Sequence, residues 1–177
     1  MTQYIRSPRF IALTLLIILA AFSRALPLLI PHIWNFTAVG ALAIFSGAQF
    51  RNKSLAFIMP LATMALSDLF IGNGFSLIVY TAFIAMVICG FLIRNRINVS
   101  NIVLSSVAGA LVFFLITNFA FLYSPSLYPH NLSGIIASYV AALPFLNNMV
   151  LGNLAYGSVL FGSFYFISKR FPALSVR

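Results

Sequence analysis

The basic residues of this chain lie in pairs and triplets at alternate ends of its long apolar segments. Nine of its ten Lys and Arg residues follow this pattern, and they are Arg6, Arg9, Arg51, Lys53, Arg94, Arg96, Lys169, Arg170 and Arg177. Short cytoplasmic segments of membrane proteins are enriched in Lys and Arg. The distribution therefore predicts a multi-pass membrane protein whose basic boundaries, including both termini, face the cytoplasm.

The composition supports a membrane protein with one domain, residues 1–177. The chain is 62% hydrophobic and 6% charged, whereas about 25% of the residues of a soluble domain are charged. Its length leaves room for about six or seven spans of about 20 residues. The net charge of +9 is spread over helix ends, where it suits lipid headgroups rather than nucleic acid. The single cysteine excludes an internal disulfide.

The hydropathy pattern predicts an all-α membrane fold with six transmembrane helices, N-in and C-in. The predicted spans are residues 10–26, 35–50, 55–71, 75–93, 101–123 and 144–167. Residues 132–143 are apolar but too few for a span of about 20 residues. We expect them to form a short interfacial or re-entrant helix that ends at Pro144, because a seventh span would place Lys169 and Arg170 outside.

Two charged residues lie within the predicted spans, at matching depth. Arg24 is the only basic residue near an outer helix end, and Asp68 is the only acid in the chain. Each lies about 21–22 Å above its inner boundary at about 1.5 Å per residue. Intramembrane charges are costly and mark functional sites by default. We expect the two to pair or to contact a substrate together; alternatively, Arg24 extends to the outer headgroups and Asp68 lies near water.

Other polar and aromatic residues also gather toward the outer ends. The predicted substrate-binding set is Arg24, Trp34, Asn35, Asp68, Asn118, Tyr128, Tyr139 and Asn153. The three aromatic members suit stacking on a flat ring. The amides of Asn118 and Asn153 are expected to face the bundle interior or an outward-open cavity, because a buried amide needs a partner. The alternative for these two is hydrogen bonding between helices.

The sequence predicts neither an enzyme nor a cofactor. It contains one carboxylate, two histidines and one cysteine, and no GxSxG or HExxH motif. It also lacks the GxxxxGK[ST] phosphate loop, so any ATP-driven transport needs another subunit. No metal site is expected; the least favoured alternative is an outer metal or haem site built from His32, His130 and Asp68.

Several stretches resemble known membrane proteins. AFSRALP (21–27) and FIMPLATMALSDLFIG (57–72) resemble the substrate-binding S component of an energy-coupling factor transporter. NFTAVGALAIFSGAQFRNKSLAF (35–57) and YPHNLSGIIASYVAALPFLNN (128–148) are similar to a family of bacterial six-helix membrane proteins that are grouped with S components. The resemblance covers most of the chain.

The resemblance implies a function in the bacterial cytoplasmic (inner) membrane. S components capture vitamins or metal ions from outside and work with a transmembrane coupling subunit and its ATPases. The expected partners are therefore a small nutrient such as a vitamin or vitamin precursor, membrane lipid and these subunits. An Ala-x-x-x-Ala contact to the coupling subunit is expected on the first helix, where Ala21 and Ala25 lie near the outer end. The alternative function is a non-transporting accessory subunit of a larger membrane complex.

The predicted topology can be tested by cysteine-accessibility labelling. A probe at Leu127 should react from outside, and probes at Asn52, Asn95 and Pro172 should react from inside, because the basic residues hold those boundaries in the cytoplasm. Outside labelling at Pro172 would mean that residues 132–143 span the membrane.

Overall fold

The computed structural model of the protein describes residues 8–72 and 74–170. Throughout these two ranges, all regular secondary structure is helical. The α-helices are α1 (Pro8–Ser23), α2 (Leu26–Leu29), α3 (Ala38–Gln49), α4 (Lys53–Ile71), α5 (Leu77–Ile93), α6 (Val99–Thr117) and α7 (Leu132–Arg170). A single turn of 3-10 helix, Ala120–Leu122, follows α6. Six of the α-helices have 12 or more residues, and α2 is one turn long.

Three of these helices are long and apolar enough to cross a membrane by length and composition: Lys53–Ile71, Val99–Thr117 and Leu132–Lys169. Three shorter apolar helices accompany them, at Leu15–Leu29, Ala38–Gln49 and Leu77–Ile93. The predicted class, an all-helical protein with membrane-like segments, is confirmed.

The prediction of a separate short helix before the last span is wrong. Residues 132–143 are the first part of α7, a continuous helix of 39 residues that contains Pro144. A proline removes one backbone hydrogen bond, which apolar membrane helices tolerate because local adjustments satisfy the freed carbonyl. At about 58 Å in length, α7 greatly exceeds a hydrocarbon core of about 30 Å.

Two other helix ends differ from the predicted boundaries. Helix α1 ends at Ser23, and the one-turn helix α2 follows with a proline in its first turn. Helix α6 ends at Thr117 rather than at residue 123, because Asn118 leaves the helical conformation at φ −113° and ψ 15°. The loop before α3 contains two left-handed residues, His32 and Asn35.

Helix α3 forms the centre of the bundle. All residues from 38 to 48 are buried, and the helix packs against α4, α5 and α7. Small side chains make this close packing possible, as is usual where membrane helices approach one another.

The closest approach joins α3 to α5. A Cβ atom added to Gly47 would collide with the Val87 carbonyl oxygen, and one added to Gly90 would collide with the Ile44 carbonyl oxygen. The two glycine Cα positions therefore face each other with no room for a side chain.

One end of the bundle carries the described basic residues, with the exception of Arg24. Arg94 donates through Nη2 to the carbonyl oxygens of Phe50 (2.5 Å) and Gly47 (3.1 Å), so it caps the last turn of α3. A cation at this position also opposes the negative end of the helix dipole. The basic end is defined by five residues at the end of α3, the start of α4, the end of α5 and the last turn of α7, and these are Arg51, Lys53, Arg94, Arg96 and Lys169.

Substitution of the paired glycines should destabilise the bundle. Gly47→Ala and Gly90→Ala should each lower the free energy of unfolding in detergent by about 1–3 kcal/mol, the usual cost of overpacking. Gly162→Ala is the matched control, because an added Cβ there meets no atom within 4 Å. The measurement is thermal unfolding of the purified variants. Equal stability of Gly47→Ala and Gly162→Ala would contradict the close approach.

Candidate functional site

The candidate site lies at the bundle end opposite the basic end, where α1, α4 and α5 meet. Its charged residues are Arg24, directly after α1, and Asp68, in the last turn of α4. The end of α1 is anchored by Ser23, whose hydroxyl donates to the Ala20 carbonyl oxygen (2.6 Å) and accepts from the Ala38 amide (2.8 Å). This pair of bonds ties the turn that carries Arg24 to the first residue of α3.

Arg24 and Asp68 form an ion pair. The Nη1 atom of Arg24 lies 2.5 Å from Oδ1 of Asp68, and the two side chains are 17% and 10% exposed. The pairing that the sequence predicts is therefore present. The alternative, in which Arg24 extends away to lipid headgroups, is wrong.

Two neutral residues complete the hydrogen bonding of this pair. The Tyr80 hydroxyl, in the first turn of α5, donates to Oδ2 of Asp68 at 2.9 Å. Arg24 Nη1 also donates to Ser67 Oγ at 2.5 Å, and that hydroxyl donates to the Met64 carbonyl oxygen at 2.9 Å. Each carboxylate oxygen thus accepts one bond, as a partly buried ion pair requires if its desolvation is to be offset.

Neither Ser67 nor Tyr80 belongs to the predicted substrate-binding set. A signal for both was available. Ser67 precedes the only acid in the chain, and Tyr80 lies in the first turn of the helix that follows the acid's own helix. Adjacent antiparallel helices bring such positions to the same end of a bundle.

A pocket of about 280 Å³ opens beside the ion pair. Its lining residues are Arg24, Met64, Asp68, Gly74, Ser76, Val79 and Tyr80. Ligand pockets begin at about 300 Å³, so this volume suits a small molecule or one polar group of a larger one. Within the described part of the chain, every recorded side-chain bond of Arg24 uses Nη1, which leaves Nε and Nη2 available to a ligand.

Two members of the predicted substrate-binding set border this pocket, and the other six lie outside its lining. Trp34 is 47% exposed, and Asn35 is an exposed loop residue at φ 67°. The Tyr128 ring packs edge-on against the Tyr123 ring, with centroids 5.4 Å apart. Burial raises the pKa of the Tyr123 phenol, and its neighbour Tyr128 raises it further.

Three of these six residues make internal hydrogen bonds instead. Asn118 donates to the Phe114 carbonyl oxygen (2.9 Å) and to Thr117 Oγ1 (3.0 Å), both in the last turn of α6. The Tyr139 hydroxyl donates to the Leu115 carbonyl oxygen at 2.9 Å, which joins α7 to α6. Asn153, the third of them, lies in the core.

Asn153 is 1% exposed and lies between three helices. Its Nδ2 atom donates to the Ser106 carbonyl oxygen at 3.1 Å. Its Oδ1 atom has no hydrogen-bond partner in the described ranges, and it occupies the space that a side chain at Gly40 would need. These contacts support the helix-to-helix alternative for this amide.

The structure does not bring the residues of the alternative metal or haem site together within its described ranges. The His130 ring stacks on Phe121 at 4.5 Å between centroids, and its Nε2 atom lies 3.0 Å from the Tyr123 carbonyl oxygen. The His32 carbonyl oxygen accepts a bond from Asn148. Among residues 8–72 and 74–170, no group of three or more His, Cys, Asp or Glu side chains could hold a metal ion. The least favoured alternative, a site built from His32, His130 and Asp68, is therefore not formed.

The ion pair should show strong coupling in a double-mutant cycle. Arg24→Gln and Asp68→Asn should each lower the free energy of unfolding by about 3 kcal/mol, because each leaves a partly buried charge without its counterpart. The double variant should recover part of this loss. Arg96→Gln, the same replacement at an exposed residue, is the matched control. Strictly additive losses in detergent unfolding would show that the two side chains do not interact.

Comparison with known proteins places the chain in one family. No curated protein and no solved structure is detectably similar to it. A family model described as a family of unknown function (DUF6580) matches residues 5–174, which is nearly the whole chain. The protein therefore belongs to this family of unknown function.

Proposed function

We propose that the protein is a membrane-embedded binding subunit for the uptake of a small nutrient, such as a vitamin or vitamin precursor. The observation that carries the proposal is the pocket of about 280 Å³ beside Arg24 and Asp68. Among residues 8–72 and 74–170, these are the only charged residues placed within the apolar bundle away from its basic end. Charged residues inside membrane bundles mark substrate and ion pathways.

The proposed orientation follows from the separation of charge. The protein spans the bacterial inner membrane six times, with the basic end in the cytoplasm and the pocket open to the outside. Arg94 supports this arrangement because its bonds to Gly47 and Phe50 hold the basic loops of α3 and α5 together. A substrate then reaches Arg24 without crossing the hydrocarbon core.

The pocket suits a ligand with a hydrogen-bond acceptor and a small apolar part. The Nε and Nη2 atoms of Arg24 supply donors, while Met64 and Val79 supply apolar walls. Tyr80 keeps Asp68 oriented toward Arg24 and so holds the guanidinium in place. The chain binds and positions the ligand and carries out no reaction.

Energy for uptake would come from a transmembrane coupling subunit and its ATPases, because the chain has no phosphate-binding loop. Ala21 is 4% exposed, and Ala25 lies beyond the end of α1. This alanine pair is therefore a poor contact surface. The lipid-facing side of α1 instead presents Leu15, Leu19 and Phe22, each more than half exposed. We assign the contact with the coupling subunit to this apolar face.

A second candidate is a non-transporting accessory subunit. It is favoured by the internal hydrogen bonds of Asn118, Tyr139 and Asn153 and by the mutual pairing of Arg24 with Asp68. In that case the ion pair fastens α1 to α4 and binds no ligand.

Ligand binding by the purified chain separates the two candidates. Native mass spectrometry of the protein, and thermal stabilisation by a panel of vitamins, nucleobases and metal ions, should identify a bound small molecule. Gly74→Leu should abolish binding without unfolding, because Gly74 borders the pocket and has no atom within 4 Å of an added Cβ. Ala155→Leu is the matched control, since it adds a leucine side chain at an exposed residue that borders neither cavity.

Several outcomes would contradict the proposal. Absence of any ligand across the panel would favour the accessory subunit. Unchanged binding by Gly74→Leu would place the ligand site elsewhere. Concentrative uptake by the isolated chain in sealed vesicles would exclude a dependence on coupling and ATPase subunits.

A further inference from the structure

A second and larger cavity lies at the basic end. It is a groove of about 650 Å³ between α6 and α7. Its walls are mainly apolar and include Ile102, Val103, Leu154 and Phe161. None of the residues that line the Arg24 pocket borders it, so the two cavities are separate sites.

Glycines on α7 keep this groove open. Gly157 and Gly162 both border it. An added Cβ at Gly157 would meet only Ser106 Oγ, at 3.9 Å, and one at Gly162 would meet nothing within 4 Å. These glycines therefore face vacant space, in contrast to the tightly packed Gly47 and Gly90.

The groove has the depth of one membrane leaflet. It extends along α7 from Leu154 to Ser168, a rise of about 21 Å at about 1.5 Å per residue. One leaflet with its headgroup region is about 20–22 Å deep, half of the usual bilayer thickness of about 40–45 Å. An occupant of this groove would thus lie alongside the lipid chains of a single leaflet.

The shape and lining of the groove suit an extended hydrocarbon chain. The groove runs about 21 Å along α7, and its walls are mainly apolar. An acyl chain that lies along the groove would cover these walls and end at its mouth.

The mouth of the groove at the basic end is polar and positively charged. Ser168 and Asn98 line it. Lys169 holds its Nζ atom 4.4 Å from the ring centroid of Tyr165, which also borders the groove. Arg96 immediately precedes the lining residue Ile97, and both Arg96 and Lys169 are exposed.

We propose that this groove binds an anionic phospholipid. One acyl chain lies between α6 and α7 against Val103 and Phe161, and the phosphate headgroup lies at the mouth near Arg96 and Lys169. Basic pockets between membrane helices bind anionic headgroups in this way. The lipid fills the space left by Gly157 and Gly162 and so becomes part of the packed bundle.

The test is a lipid titration of the full chain in detergent, followed by native mass spectrometry. The probes are palmitoyl-oleoyl phosphatidylglycerol and phosphatidylcholine with the same acyl chains. Phosphatidylglycerol should bind more tightly. Lys169→Gln and Arg96→Gln should each weaken its binding about fivefold and leave phosphatidylcholine binding unchanged.

A groove-filling variant tests the acyl-chain position. Gly162→Leu should abolish the tight adduct of both lipids, whereas Ala155→Leu should not. Ala155 is the matched control because it is an exposed residue of the same helix that does not border the groove. Equal affinity for the two lipids, or unchanged phosphatidylglycerol binding by Gly162→Leu, would overturn the proposal. So would a photo-crosslinker at Ser158 that captures a protein helix instead of lipid in native membranes.

Discussion

The architecture depends on the close backbone contact between α3 and α5. Lipid tails are as apolar as leucine, so burial of apolar surface does not drive helices together in a membrane. Van der Waals packing must therefore hold the helices together. This packing is effective only where side chains are small enough to let the helix backbones approach each other. Gly47 and Gly90 provide that approach, and Arg94 adds hydrogen bonds to the end of α3. The other helices then surround α3, which is buried from residue 38 to residue 48.

Within the described ranges, the buried polar side-chain atoms have hydrogen-bond partners except for Asn153 Oδ1, and one group of polar residues lies together at the end of the bundle. Arg24, Asp68, Ser67 and Tyr80 form a connected network that links α1, α4 and α5 at one end. In a low-dielectric environment, such a network is stable only if nearly every member has a partner. In the described part of the chain, Arg24 has donor atoms without a partner, and the pocket lies beside them. A polar ligand could therefore enter the apolar bundle here with the smallest free-energy cost.

The sequence was most informative about charge. The positions of the basic residues predicted a bundle with one basic end, and the matching depth of Arg24 and Asp68 predicted their ion pair. Pro144 led to a wrong prediction. It suggested a break in the helix, but α7 continues through the proline, which apolar surroundings tolerate. The amide of Asn118 turned out to cap its own helix, and the groove beside Gly162 was not anticipated. Both features depend on the side of the helix on which a residue lies. In a helix that is apolar on nearly every side, the hydropathy pattern does not reveal which side faces the other helices.

The shortness of α3 has a consequence for biogenesis. Its 12 residues rise about 18 Å, well short of a hydrocarbon core of about 30 Å. Seven of these residues are Gly, Ala or Ser, so the helix has little side-chain surface with which to contact lipid. A nascent chain that ended before α5 would therefore have no stable place for α3 within the bilayer. In the proposed six-span topology, the helix has to remain at the insertion machinery, or be sheltered by α1 and α4, until Gly90 and Arg94 have been synthesised.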